Sequence, residues 1–430
     1  MSDSIFALAK NPFSSAVNSH SEGWQYGQGI AVLLLILSLP PLAIGAENDE
    51  LQGGEPYAHA SESIGTVREV YDGRLMPDVQ INTFRNIQRL FPTRVVERGD
   101  EITPFVRAEQ SLADFRFSLN DISYDLFDVL ALNRVAAIMI VKDDEVLFER
   151  YFMGNNAATR WMSMSVVKTV SVMLIGAAIE DGFIDSIEDP ITDYLPQFVG
   201  TAYDGVTVEQ IVTMTSGVDW NETYTDPDSD RRRMLDAQIG QQPGAILRLM
   251  AALPRHSAPG TRWNYSTGET QIAAALVRAA TGKWAADYLS EKLWIPLGME
   301  SDATWWLESA GGLEVGGSGL AATLRDYTRI GLFLLNEGVI DGEQIVPAGF
   351  VSRAGSRTLV GGTSVDYGYG LWPLHDRSYA AIGIFGQYVF VDPAQELVVT
   401  ILSAQPKPVG RDAVDEYAFL AVLSQYFSDR

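Results

Sequence analysis

No cysteine occurs in this sequence, which excludes disulfides, thiolate metal sites, cysteine nucleophiles and thiol-anchored lipids, and leaves the compartment to be read from other features. Histidine is nearly as scarce. Only His20, His59, His256 and His375 are present, and none sits in a recognisable catalytic context. The Gly-x-Ser-x-Gly turn that presents a serine to a histidine base is missing, and so is the His-Glu-x-x-His pair of zinc hydrolases. Hydrolysis driven by histidine or by a metal is therefore disfavoured, and the sequence calls for no metal and no cofactor. Positive charge is short as well: 31 basic against 55 acidic side chains give a formal charge of −24, with no Lys/Arg run to track a phosphate backbone. Nucleic acid is not an expected partner, and the acidity reads as a soluble, self-repelling surface. Internal repeats and low-complexity tracts are absent too.

What remains is an ordinary globular balance, 47% hydrophobic and 20% charged, over 430 residues. That length predicts one large composite domain or two intimately joined ones. Near the amino terminus, Ile30 to Ala46 is uncharged, broken by Pro40 and Pro41, and followed by Glu47-Asn-Asp-Glu50. Residues 1–46 have the outline of an export signal, with small residues at Ala43-Ile44-Gly45 for cleavage and an apolar run too short for a comfortable bilayer span. An exported protein, periplasmic or secreted, is expected. The long leading region and the single basic Lys10 leave a retained membrane anchor as the alternative.

Residues 47–133, punctuated by Pro56, Pro77, Pro92 and Pro104, read as an irregular leader that packs on a main domain over 134–430. Ala136–Val141 and Val146–Tyr151 are β-rich runs around a polar Lys-Asp-Asp-Glu turn, predicting an antiparallel hairpin. From Ser165 to Glu180 the period becomes helical, with Val166, Val167, Val170, Met173, Leu174, Ala177 and Ala178 recurring until Asp181-Gly182 ends the run. A mostly helical block follows over about 191–297, with helices expected at Val208–Met214, Ala245–Leu253 and Thr270–Ala280. Strands return at Gln344–Val346, Tyr388–Val391 and Leu397–Leu402, and Ala418–Tyr426 closes the chain as a helix. The expected fold is α+β: an antiparallel sheet built from both ends of the chain, flanked by helices, with a helical subdomain inserted.

Ser165-Val-Val-Lys168 stands at the start of the apolar helix, where residues three apart share a face, so the Lys168 amine can reach the Ser165 hydroxyl. Burial disfavours a charged amine and lowers its pKa, as a basic role would need. A capping serine beside a solvated lysine is the plainer interpretation of this pattern. A second motif, Trp263-Asn-Tyr265-Ser-Thr267, follows Pro259-Gly260. Together these resemble the penicillin-recognising serine hydrolases, and within them the class C β-lactamase-like branch that includes family VIII esterases and 6-aminohexanoate-dimer hydrolases. Val206–Gly217, Pro296–Met299, Gly319–Asp326 and Tyr367–Trp372 extend the resemblance in family order, so that it covers the chain from about Arg134 onward.

The resemblance implies a β-lactamase/transpeptidase-like fold and a catalytic set of Ser165, Lys168 and Tyr265. The third family motif falls at Ala381-Ile-Gly383, where the leading polar side chain is missing; Gly383 and Gly386 are otherwise plain strand or bulge glycines. By resemblance the backbone N–H groups of Ser165 and Ile384 form the oxyanion hole. Because Ala381 cannot hold a substrate carboxylate, a β-lactamase or DD-peptidase becomes the second reading, with nearby Arg377 as a possible substitute cation. Tyr224 matches a substrate-contacting tyrosine of the nylon-oligomer hydrolases, and Gly383 and Trp372 join it as substrate-binding candidates. Trp220, Trp305, Trp306, Tyr367 and Tyr369 either wall an acyl pocket or belong to the core. The expected activity is cleavage of a small-molecule ester or linear amide through an acyl-enzyme on Ser165, with Lys168 and Tyr265 sharing the task of accepting its proton and Lys168 depressing the pKa of Tyr265 so that a phenolate takes and returns a proton near neutral pH. A non-catalytic envelope protein that uses this fold for binding is the third reading, and oligomeric state is not legible.

Overall fold

The computed structural model describes residues 57–429 apart from 110–111, 113–114 and 410–412, so the export or anchor segment at 1–46 lies outside the described residues. Among the described residues no helix is long and apolar enough to cross a membrane.

A seven-stranded sheet forms the centre. Its strands are β1 (Val106–Arg107), β2 (Val135–Lys142), β3 (Glu145–Tyr151), β4 (Trp372–Pro373), β5 (Tyr379–Gly383), β6 (Gln387–Asp392) and β7 (Leu397–Ser403), in the spatial order β4-β5-β6-β7-β2-β3-β1. Both ends of the chain contribute, and β7 pairs antiparallel with β2 through Val399↔Ile140 and Ile401↔Ile138. Strand β2 is buried on both faces. Successive side chains of a strand point to opposite sides, so Met139 and Val141 enter one core while Ile138 and Ile140 enter the other. That two-sided burial explains why the strand reads as a continuous apolar run. The β2–β3 turn places Asp143 at φ +52° and Asp144 at φ +62°, the left-handed pair that a two-residue hairpin requires and that aspartate tolerates.

Five helices frame the site and the sheet: α1 (Val67–Asp72), α2 (Val166–Glu180), α3 (Val208–Val212), α4 (Asp230–Ile239) and α5 (Thr267–Thr281). Two more cover the sheet, α6 (Leu324–Leu335) on one face and α7 (Glu416–Ser428) on the other. Helix α2 is buried from Val166 to Ala178, as its all-round apolar sequence predicts. A second sheet, ordered Thr93–Val96, Ala303–Trp306, Leu320–Thr323, Arg160–Met162, delivers the chain into α2.

Two expectations need correction. The segment before Asn133 is not irregular where it is described: α1 carries a Thr66/Glu69 capping box, Thr93–Val96 pairs with Ala303–Trp306, and β1 adds a parallel edge that makes the central sheet mixed. These short pieces are held by partners far along the chain, which local periodicity cannot reveal. The strand expected at Gln344–Val346 is only Glu343–Gln344, because Ile345 and Val346 turn into the core beneath α2.

Candidate active site

Strand Arg160–Met162 ends at Ser163, whose N–H donates to the Leu320 carbonyl at 2.8 Å. Met164 then adopts φ +41°, a left-handed conformation that is costly for a residue with a long side chain. This bend turns the chain from strand into helix and sets Ser165 as the first residue of the turn, 8% exposed, with its N–H at the positive end of the 15-residue α2. Val166 N–H returns to the Ser163 carbonyl at 3.2 Å, fixing the turn.

Lys168 lies one turn along and is 1% exposed. Its Nζ donates to Thr267 Oγ1 at 2.9 Å and to the Gly317 carbonyl at 2.9 Å. A Cβ at Gly317 would stand 2.7 Å from that nitrogen, so this position has room only for glycine. The Thr267 hydroxyl passes its own proton to Glu222 Oε1, while Glu222 Oε2 accepts the Thr267 N–H at 2.9 Å at the start of α5. Amine, hydroxyl and carboxylate thus form one directed chain. Among the described residues no carboxylate pairs with Lys168 directly, and burial drives its pKa from the ordinary lysine value down to about 7; the Glu222 charge opposes that shift and Arg231 adds to it.

Tyr265 ends the segment that enters α5, with Ser266 capping that helix through the Glu269 N–H at 3.2 Å. The Tyr265 phenol is hydrogen-bonded to the Ser165 side chain, and the Lys168 nitrogen lies 5.5 Å from its ring centre. The three residues singled out in the sequence therefore meet. The expected phenolate does not survive: burial holds Tyr265 well above the usual phenol value, Tyr367 and Glu222 push it further up, and the Ser165 hydrogen bond and Arg231 do not reverse the direction. The cause is the same dry environment that lowers the Lys168 value. A low dielectric disfavours whichever form is charged, so it moves the amine down toward neutrality and the phenol up.

Gly383 ends β5 against the Ser163–Ser165 turn, and a Cβ there would meet the Ser163 carbonyl at 2.8 Å and the Gln387 side chain. Ile384 follows, buried, with its carbonyl bound to the Val409 N–H at 2.8 Å. Strand β5 is not the outermost strand, as β4 pairs with it at Trp372↔Ala380 and Pro373↔Tyr379, but from Ala381 to Gly383 that edge is left to the site. Arg377, considered as a substitute cation, stands exposed in the turn at the other end of β5, a strand length of about 13 Å from Gly383.

Trp372 stacks on Tyr265 with ring centres 5.5 Å apart, and Tyr367 and Trp263 close the cluster at 4.9 and 6.1 Å from Trp372. Tyr224 is 7% exposed and lies beside Glu222 and Tyr265, with burial and the Glu222 charge holding its phenol well above the usual value. Trp305 and Trp306 belong to the core, donating to the Val315 and Ile87 carbonyls, and Tyr369 bonds Glu209, so these three do not wall the site. Trp220 supports Glu222 through its indole N–H. Sequence reasoning missed Glu222, Thr267 and Gly317 as parts of the lysine's surroundings; Glu222 and Thr267 lie inside segments singled out for other reasons, with no pattern marking their task. A surface groove of about 450 Å³ lies elsewhere, among Ile102, Phe105, Arg107, Glu300 and Arg325, and does not include these groups.

The Beta-lactamase family pattern matches residues 133–423. The 6-aminohexanoate-dimer hydrolase of Paenarthrobacter ureafaciens is 30% identical over 348 residues, covering 76% of this chain and 85% of that protein. Among solved structures, a Bacillus anthracis protein provisionally named 6-aminohexanoate-dimer hydrolase superposes with a TM-score of 0.75 at 22% identity, over 86% of this chain and 99% of that one. A family VIII carboxylesterase gives 0.54 at 18% identity, over 70% and 95%. At these identities the two structures speak for the fold alone.

Proposed function

Since the chain belongs to the Beta-lactamase family and is a serine hydrolase with that fold, we propose that it cleaves linear amides or small esters through an acyl-enzyme on Ser165, with the neutral Lys168 amine as base. The observation that carries this reading is the buried Lys168, one helical turn from a serine that is itself hydrogen-bonded to Tyr265. Amides of the 6-aminohexanoate type are favoured by the relative that matches 76% of the chain.

In the acylation step Ser165 Oγ attacks the carbonyl carbon as its proton passes to the Lys168 lone pair. The ammonium so formed is stabilised through Thr267 by Glu222. Negative charge on the carbonyl oxygen is met by the N–H groups of Ser165 and Ile384. Tyr265, a protonated phenol touching Ser165, hands a proton to the leaving nitrogen or oxygen and recovers one from the Lys168 ammonium. Water then attacks the acyl carbon, and the same groups return their protons in reverse order. Lys168, with its pKa lowered to about 7, is poised for this exchange at neutral pH.

A side-by-side assay of p-nitrophenyl acetate, 6-aminohexanoate dimer and nitrocefin tests the proposal. Turnover of the ester or the linear amide, lost in Ser165→Ala, is the expected result. Turnover confined to nitrocefin would reassign the protein as a β-lactamase, and no turnover with no acyl adduct would leave only binding.

A further inference from the structure

Three consecutive arginines open α4, and they meet different fates. Arg233 is exposed and pairs with Asp230 at 2.7 Å; Arg232 is buried and pairs with Asp72 at 2.7 Å. Arg231 is 4% exposed, and no carboxylate stands within ion-pairing distance of it among the described residues. Its guanidinium lies 4.4 Å over the ring of Tyr71 from α1 and donates to that tyrosine's hydroxyl. A buried guanidinium with only a neutral phenol for company is costly, because the lost hydration is not replaced by an opposite charge.

The backbone ties the start of α4 to the loop beside the site. Arg231 N–H bonds the Asn221 carbonyl at 3.1 Å, Asn221 N–H bonds Asp230 at 3.0 Å, and Ser229 Oγ bonds the Thr223 carbonyl at 2.7 Å. The loop that carries Glu222 and Tyr224 is thereby stitched to the first turn of α4. Arg231 is close enough for its charge to act on Lys168, Tyr224 and Tyr265. Two further donors in the cluster, the Tyr367 hydroxyl and the Trp263 indole N–H, are buried without an acceptor among the described residues. The carboxylate of the cluster, Glu222, is engaged by Thr267 and Trp220 and does not receive these donors.

We infer that Arg231 anchors a carboxylate of the substrate, so that the site selects linear amides or esters carrying a free carboxylate over neutral ones of the same length. This rests on the hydrolase reading above and names its substrate class. The planar guanidinium fork matches a carboxylate in a way that a lysine ammonium does not, and it occupies a position on α4 rather than on β5, where Ala381 leaves the strand without a cation.

The test uses the full chain as wild type, R231Q, R231K and Y71F, with two matched pairs: mono-p-nitrophenyl glutarate against p-nitrophenyl pentanoate for a carboxylate on the acyl side, and p-acetoxybenzoate against p-tolyl acetate for one on the leaving side. Wild type is expected to favour the anionic member of at least one pair in kcat/KM. In R231Q that preference should fall on the order of tenfold, through the KM of the anion, with R231K intermediate and Y71F retaining it. Equal losses on all four substrates in R231Q and Y71F would assign Arg231 to holding α1 and overturn the inference, as would a wild-type preference for both neutral members. Hydrolysis of the neutral esters with no Arg231-dependent preference sinks this inference alone. Failure of wild type to turn over any of the four, with no fluorophosphonate adduct on Ser165, removes the hydrolase reading and this inference with it.

Discussion

Two clusters of buried charge in this protein are built on opposite plans. Around α6, Arg325 bonds Glu149 through Nε at 2.6 Å and Glu300 through Nη1 at 3.1 Å, Arg329 bonds Glu300 at 3.1 Å, and Tyr151 donates to Glu149 at 2.6 Å. Every cation there faces a carboxylate. Burial would raise Glu149, but the Arg325 and Tyr151 hydrogen bonds and the arginine charges outweigh it and hold the carboxyl below its usual range. Lys168 is buried more deeply, yet its direct partners among the described residues are a hydroxyl and a carbonyl, and its pKa drops to about 7. The lesson is that paired burial fixes charge and holds elements together, whereas unpaired burial brings an amine's pKa down to where it can exchange a proton near neutral pH.

The largest expected effect comes from breaking the unpaired side. Lys168→Met keeps the length of the chain and removes the base, so kcat/KM should fall on the order of 10³-fold while thermal stability holds or rises, because a buried amine is exchanged for an apolar group. A matched loss of stability would contradict the contrast. Tyr265→Phe comes next, with a fall on the order of 10²-fold in kcat for substrates with poor leaving groups and a smaller one for p-nitrophenyl esters, which need little protonation.

The paired cluster should answer in the opposite currency. Glu149→Gln removes the buried carboxylate shared by Arg325 and Arg107, of which Arg325 keeps Glu300, and is expected to cost about 2 kcal/mol of stability with turnover of the folded enzyme retained. The sign with pH follows from the depressed Glu149 value: its stabilisation is present above the unfolded carboxyl pKa and is lost as pH falls through the lower folded one, so acid unfolding of wild type should flatten in this variant. Smallest is Glu222→Gln. Its charge raises the Lys168 pKa, so removing it should move the acid limb of the pH–rate profile to lower pH with only a several-fold change in the plateau; an upward shift would contradict the assigned chain.

The legibility of the sequence follows the same division. Ser165 and Lys168 were readable because motif spacing and an all-apolar helix constrain them locally, Tyr265 through the family resemblance its motif carries, and the β2–β3 hairpin because alternation and an Asp-Asp turn do. The protonation states were not readable. Sequence alone set a cation beside a phenol and suggested a phenolate, whereas the folded burial of both groups, reinforced at Tyr265 by Tyr367 and Glu222, favours the uncharged forms. Glu222 escaped notice because its task depends on meeting Thr267 from 45 positions away, and the elements before Asn133 because their partners lie as far along as Ala303–Trp306.

The most direct test of the central claim is the rate at which a fluorophosphonate labels Ser165 as a function of pH, followed by intact-protein mass spectrometry in wild type and Lys168→Met. A single adduct on Ser165 whose rate rises through an apparent pKa near 7, and which is nearly abolished in Lys168→Met, is the predicted result. A rate that climbs only toward the ordinary lysine range, or that is the same in both proteins, would contradict it.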